Sequence, residues 1–157
     1  MAFRNQQELE AFTEWAKGEI RGMGEHARSS DLFQGEAVGR AVWTLPHKLF
    51  LGKVWPKSEK SRAYWVISGS DIPTDHIEAP LAESPRDAAR HFAMKWQLQS
   101  ARLEDLGGSA PDGENVKDVN WGQVAQRLQA QAEALYGLVE KEELWTQTEE
   151  PLMGSQT

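Results

Sequence analysis

Residues 36–68 read EAVGRAVWTLPHKLFLGKVWPKSEKSRAYWVIS. Val38, Val42, Trp43, Leu49, Leu51, Val54, Trp55, Tyr64, Trp65, Val66 and Ile67 gather β-branched and aromatic side chains between turn-forming residues, which is the composition of strands. Pro46 breaks the first run from the second, because a proline has no amide to give to a ladder, and the polar PKSEKS at 56–61 forms a hairpin loop. The segment predicts three antiparallel strands, over residues 36–44, 48–55 and 62–68. The turn-rich GSDIPTD at 69–75 leads to a short fourth strand at 76–79.

Helical periodicity flanks this region on both sides. Leu9, Phe12, Ala16, Ile20 and Met23 step by three or four and define one face of a helix from Asn5 to about Met23, where Gly22 and Gly24 weaken helix propensity. Residues 25–36 have no period and read as a connection. Ser84-Pro85-Arg86-Asp87 is a helix start: serine caps, proline suits the first turn and the aspartate meets the positive end of the dipole. That helix runs to about Leu103 with the stripe Ala89, Phe92, Ala93, Trp96, Ser100, Leu103. Residues 107–118 read as a loop. A last helix opens at Asn120, with Gln123 three residues on, and carries Trp121, Val124, Leu128, Leu135 and Leu138. Residues 146–157 have neither period nor core content and are expected to be disordered.

The expectation is one α+β domain over residues 1–145. A three- or four-stranded antiparallel meander packs on about three helices in the order α-β-β-β-(β)-α-α, with one sheet face covered and the other partly free. A chain of 157 residues is long enough for this, burying roughly 70% of its unfolded surface.

Composition removes several kinds of chemistry. No cysteine is present, which excludes disulfides, thiol nucleophiles and sulfur-ligated metals. The first twenty residues carry charge every few positions, unlike a signal peptide, and no apolar run is long enough to span a bilayer. The expected location is the cytoplasm. The net charge is −7, unevenly spread. Residues 38–63 hold Arg40, Lys48, Lys53, Lys57, Lys60 and Arg62 against the single acid Glu59, while residues 104–157 hold eleven acids and three bases. Lysines beside Trp43, Trp55 and Trp65 are the footprint of a single-strand nucleic-acid binder. They also serve to keep strand edges from pairing, or are neutralised by the acidic C-terminal helix. The overall negative charge ranks nucleic acid below protein partners.

Polar groups concentrate in YWVISGSDIPTDHIEA, residues 64–79. Ser68, Ser70, Asp71, Thr74, Asp75 and His76 contain the types needed for a nucleophile, a base and an orienting group, but G-x-S-x-G is absent, and the same residues satisfy backbone amides in turns. His76 and Glu78 share a strand face and with His91 make a conceivable metal set, although nothing in the sequence brings His91 to them. No metal or other cofactor is therefore assigned. Arg86 and Arg90 lie one turn apart at a helix start, placed to clamp a carboxylate or phosphate, or to pair with Asp87 or Glu83 on a solvated face. The ligand-site candidates are thus Asp71, Asp75, His76, Arg86, Arg90 and His91, converging where the third strand ends and the Ser84 helix begins. Trp43, Trp55, Trp65, Lys53, Lys57 and Lys60 are the candidates for an interaction surface, since exposed tryptophans favour binding hot spots.

Residues 64–79 followed by SPRDAARHFAMKWQLQSARL at 84–103 resemble the central signature of a family of small bacterial proteins known only as a domain of unknown function. The shared positions are Trp65, Val66, Ser68 and Gly69, then Pro73, Thr74 and Asp75, then Ser84, Arg86, Ala88, Arg90, His91, Phe92, Trp96 and Gln97. The resemblance implies a small bacterial cytoplasmic protein and carries no activity, cofactor or catalytic residue. The reading favoured by the sequence is a non-enzymatic interaction protein that binds another protein or a second copy of itself. A binder of small anions or an enzyme at the SGSDIPTDH turn, and a weak single-stranded nucleic-acid binder, are the alternatives.

Overall fold

A computed structural model describes residues 3–109 and 120–146. The helix expected to end near Leu103 continues to Ser109, through residues 107–109 that were expected as loop; the rest of that loop and the expected tail beyond Thr146 lie outside the described residues. Four strands, β1 (Ala37–Leu45), β2 (Leu49–Pro56), β3 (Tyr64–Gly69) and β4 (Asp75–Glu78), form an antiparallel meander in sequence order. The helices are α1 (Gln6–Ser29), α2 (Pro85–Ser109), α3 (Trp121–Val139) and the short α4 (Glu142–Trp145). The α+β class and the fourth strand agree with the sequence reading.

Caps form at Ser84 and Asn120, which signalled them in the sequence, and at Asn5. Asn5 accepts from the Glu8 amide at 2.9 Å, Ser84 from the Asp87 amide at 3.1 Å and Asn120 from the Gln123 amide at 3.0 Å. Helix α1, however, continues past Met23 to Ser29. A Cβ at Gly22 or Gly24 would meet nothing within 4 Å, while Met23 and Ala27 are buried against the sheet. Burial of those two side chains offsets the roughly 1 kcal/mol that each glycine costs a helix.

Both faces of the sheet are covered, which corrects the expectation of a partly free face. Met23 and Ala27 of α1 pack on Ala41, Phe50, Val54 and Val66. On the opposite face Trp43, Leu51, Trp65, Ile67 and Ile77 meet Ala89, Phe92 and Trp96 of α2, Ala132 and Leu135 of α3, and Trp145 of α4. Gly39 and Gly52 make the notch that seats Met23, since a Cβ would fall 2.7 Å from Met23 Cε at the first and 2.9 Å from its sulfur at the second. The tryptophans follow from this layering. Trp43 and Trp65 are 2% and 1% exposed, so neither belongs to an interaction surface. Among the described residues no helix is long and apolar enough to cross a membrane.

Candidate functional site

The turns β1–β2 and β3–β4 lie side by side at one end of the sheet, held by the Ser70 amide donating to the Lys48 carbonyl at 3.1 Å. Both contain a residue other than glycine in the left-handed region, His47 at φ 65° and Asp71 at φ 64°. Helix α3 passes beside them, and Gln131 donates to the Asp71 carbonyl at 2.9 Å. Between the turns and α3 lies a groove of about 360 Å³. Leu49, Ile72, Leu135 and Leu138 give it an apolar lining, and Lys48 and Arg127 bring positive charge to it.

A second polar group sits where β4 begins. Successive strand residues point to opposite faces, so Asp75 turns toward α2 while His76 turns toward α1. His26, on the part of α1 beyond the two glycines, places its Nε2 2.9 Å from His76 Nδ1. Burial lowers the pKa of both imidazoles, against a smaller raising effect of Asp75. Lys95 lowers both further and His26 lowers His76. The Tyr64 ring stands edge-on to His76 at 5.7 Å.

Asp75 is held on three sides. Its Oδ1 accepts from the His76 amide at 2.7 Å and from Lys95 Nζ at 2.9 Å, and its Oδ2 accepts from the Trp96 indole at 2.9 Å. Lys95 also donates to the His76 carbonyl at 3.0 Å. The carboxylate therefore ties the edge strand to α2. We expect Asp75→Asn to lower stability by about 2 kcal/mol, because the ammonium and the indole lose a charged acceptor in a half-buried place. Urea unfolding in EDTA measures this; a change below 0.5 kcal/mol would show that these contacts carry little of the α2 attachment.

The expected convergence of six residues is only partly realised. Asp75 and His76 come together and are completed by His26, not by Glu78 or His91: His26, Asp75 and His76 offer three ligand atoms within 4.8 Å of one another. Asp71 lies apart from them, on the groove. Arg86 donates from Nε to the Val139 carbonyl at 2.9 Å and closes the end of α3. Arg90 pairs with Asp87 on the same helix at 2.8 Å. His91 is half-buried on α2. These two arginines thus serve the chain's own acceptors, an ordinary use of cations at helix ends.

The basic strand region likewise uses its charges locally. Lys53 lies over the Trp65 ring at 4.7 Å, Lys60 over the half-buried Trp55 at 5.4 Å, and Lys57 is 3.8 Å from Glu36. Burial and the neighbouring Arg40 lower the pKa of Lys53. Among the described residues no ion pair joins this region to the acids of the C-terminal helices.

His26, Lys95, Lys48, Arg127 and Gln131 are functional candidates that the sequence reading did not single out. For His26 a signal existed, since it follows Met23 by three on the same helical face. The others are assembled by tertiary packing alone.

No curated protein and no solved structure matches the chain. A family model described as a domain of unknown function, DUF4826, matches residues 10–145, a span that runs from within α1 to the end of α4 and includes both polar groups. The chain belongs to that family.

Proposed function

We propose that this protein binds a small amphipathic anion in the groove between the β1–β2 turn, the β3–β4 turn and α3, and acts by binding, without catalysis. One observation carries the reading: an apolar groove of ligand size bears two cations, Lys48 and Arg127, against one acid, Asp71. A few placed polar groups over an apolar lining are the usual make-up of a small-molecule site. The Lys48 ammonium and the Arg127 guanidinium would take a carboxylate, and Leu49, Ile72, Leu135 and Leu138 would cover an alkyl or aryl body. Two paired turns held in left-handed conformations support the same reading, because backbone outliers concentrate at binding sites. In this reading the SGSDIPTDH turn forms one wall of the site and α3, in place of the Ser84 helix, forms the other. Association through a tryptophan-rich face has less to rest on, with Trp43 and Trp65 in the core.

Octanoate is a suitable probe, with octylamine as its charge-reversed control. Saturable shifts of the amide resonances of Lys48, Ser70, Asp71 and Gln131 with octanoate alone are expected. A Lys48→Ala, Arg127→Ala double variant should weaken octanoate at least tenfold, about 1.4 kcal/mol. Equal response to octylamine, or no response at the groove, would sink the idea.

A further inference from the structure

We propose that His26, His76 and Asp75 form a site for a divalent transition-metal ion of borderline softness, bound across the gap between α1 and the edge strand β4. The site lies apart from the groove and shares no residue with it. Two imidazoles and a carboxylate are a donor set that such ions accept in the absence of thiolates.

Geometry narrows the ion. Metal–nitrogen bonds near 2.05 Å with the nitrogens 2.9 Å apart subtend about 90° at the metal. That is the cis angle of octahedral or square-planar coordination. A tetrahedral ion asks for nitrogens about 3.3 Å apart, so zinc needs the rings to move and nickel or copper does not. The carboxylate is oriented in advance: the Trp96 indole and the His76 amide fix its two oxygens, in the manner of the outer groups that aim metal ligands.

Lys95 gives the site a distinctive property. Its ammonium, 2.9 Å from Asp75 Oδ1, is a cation already resting on the third ligand. Its side chain is 31% exposed, so it has a route to water when a metal arrives. A metal held by all three residues therefore competes with Lys95, and removing that charge should strengthen binding.

Calorimetry on the tag-free, EDTA-treated chain with nickel chloride, copper chloride and zinc chloride tests this. We expect one ion per chain, nickel and copper tighter than zinc, at least a hundredfold loss in His26→Gln and in His76→Gln, and about a tenfold gain in Lys95→Gln. Circular dichroism melts establish that the glutamine variants are folded, and Lys95→Gln keeps all three ligands should either one fail to fold. Absence of nickel and copper binding to the wild-type chain overturns the site, as does binding that both glutamine variants retain. An affinity unchanged in Lys95→Gln removes Asp75 from the set and overturns the three-ligand assignment.

Discussion

Trp43→Ala is expected to lower the stability of the protein by about 3–5 kcal/mol, a large part of the 5–15 kcal/mol typical of a domain. Trp43 is 2% exposed, and its ring stacks on Trp145 with centroids 4.1 Å apart and planes within 18°. The Trp145 indole in turn donates to the Leu138 carbonyl at 3.0 Å, so the pair joins β1 to the end of α3 through α4. Truncation leaves a cavity between layers that cannot close without moving α4, and it forfeits the ring contact, worth about 0.5–1.5 kcal/mol beyond area burial. The urea midpoint should fall with the m-value unchanged. Trp55→Ala, which removes a half-buried ring lying under Lys60, should cost about 1 kcal/mol. Equal costs at the two positions would contradict the placement of Trp43 in the core. A coupling energy near zero between Trp43→Ala and Trp145→Ala would contradict the stack.

The same tryptophan shows how far a sequence carries and where it stops. Strand composition, the apolar period of the first helix and the capping residues Ser84 and Asn120 were enough for the order of elements up to α3. Alternation along a strand assigns residues to two faces, but it does not say which face a helix will cover. Leu49, Phe50 and Leu51, like Trp65, Val66 and Ile67, are apolar at consecutive positions, and such runs belong to strands buried on both sides. Weighed in that way, the runs would have moved Trp43 and Trp65 into the core.

In helix α1 packing overrides local propensity. Glycine propensity at positions 22 and 24 was a real local signal, overridden by the burial of Met23 and Ala27, and the override carried His26 to His76 fifty residues away. The Asp75–Lys95 and Lys48–Arg127 proximities have no local counterpart at all. Each depends on where whole elements dock. Arg86 and Arg90 were legible as cations at a helix start. Asp87, the acceptor of Arg90, lies three residues away on the same helix and was within reach of the sequence, whereas the Val139 carbonyl that takes Arg86 could not be told from an outside anion until α3 was in place.

Gly69→Ala should be nearly as damaging as loss of Trp43, at about 3 kcal/mol or more, for a reason that involves no lost contact. Gly69 has φ 156°, a conformation that L side chains rarely adopt. A Cβ there would stand 2.2 Å from the Lys48 carbonyl oxygen and 3.1 Å from Leu49 Cα. Both obstacles are backbone, so no side chain can swing aside to make room. The Leu49–Gly69 register at the end of the β2–β3 ladder must open, and the Ser70-to-Lys48 hydrogen bond opens with it. Strained backbone and overpacking each cost about 1–3 kcal/mol, and here they act together. Gly137→Ala is the control: a Cβ at that position of α3 meets nothing within 4 Å, and the substitution should stabilise the helix by about 0.5–1 kcal/mol. Because Lys48, Ser70 and Asp71 all line the groove, whatever fraction of Gly69→Ala still folds should have lost octanoate binding, while Gly137→Ala keeps it. If Gly69→Ala is as stable as the wild-type chain, the two turns are not locked together at this position, and the groove loses the rigid wall on which its proposed role depends.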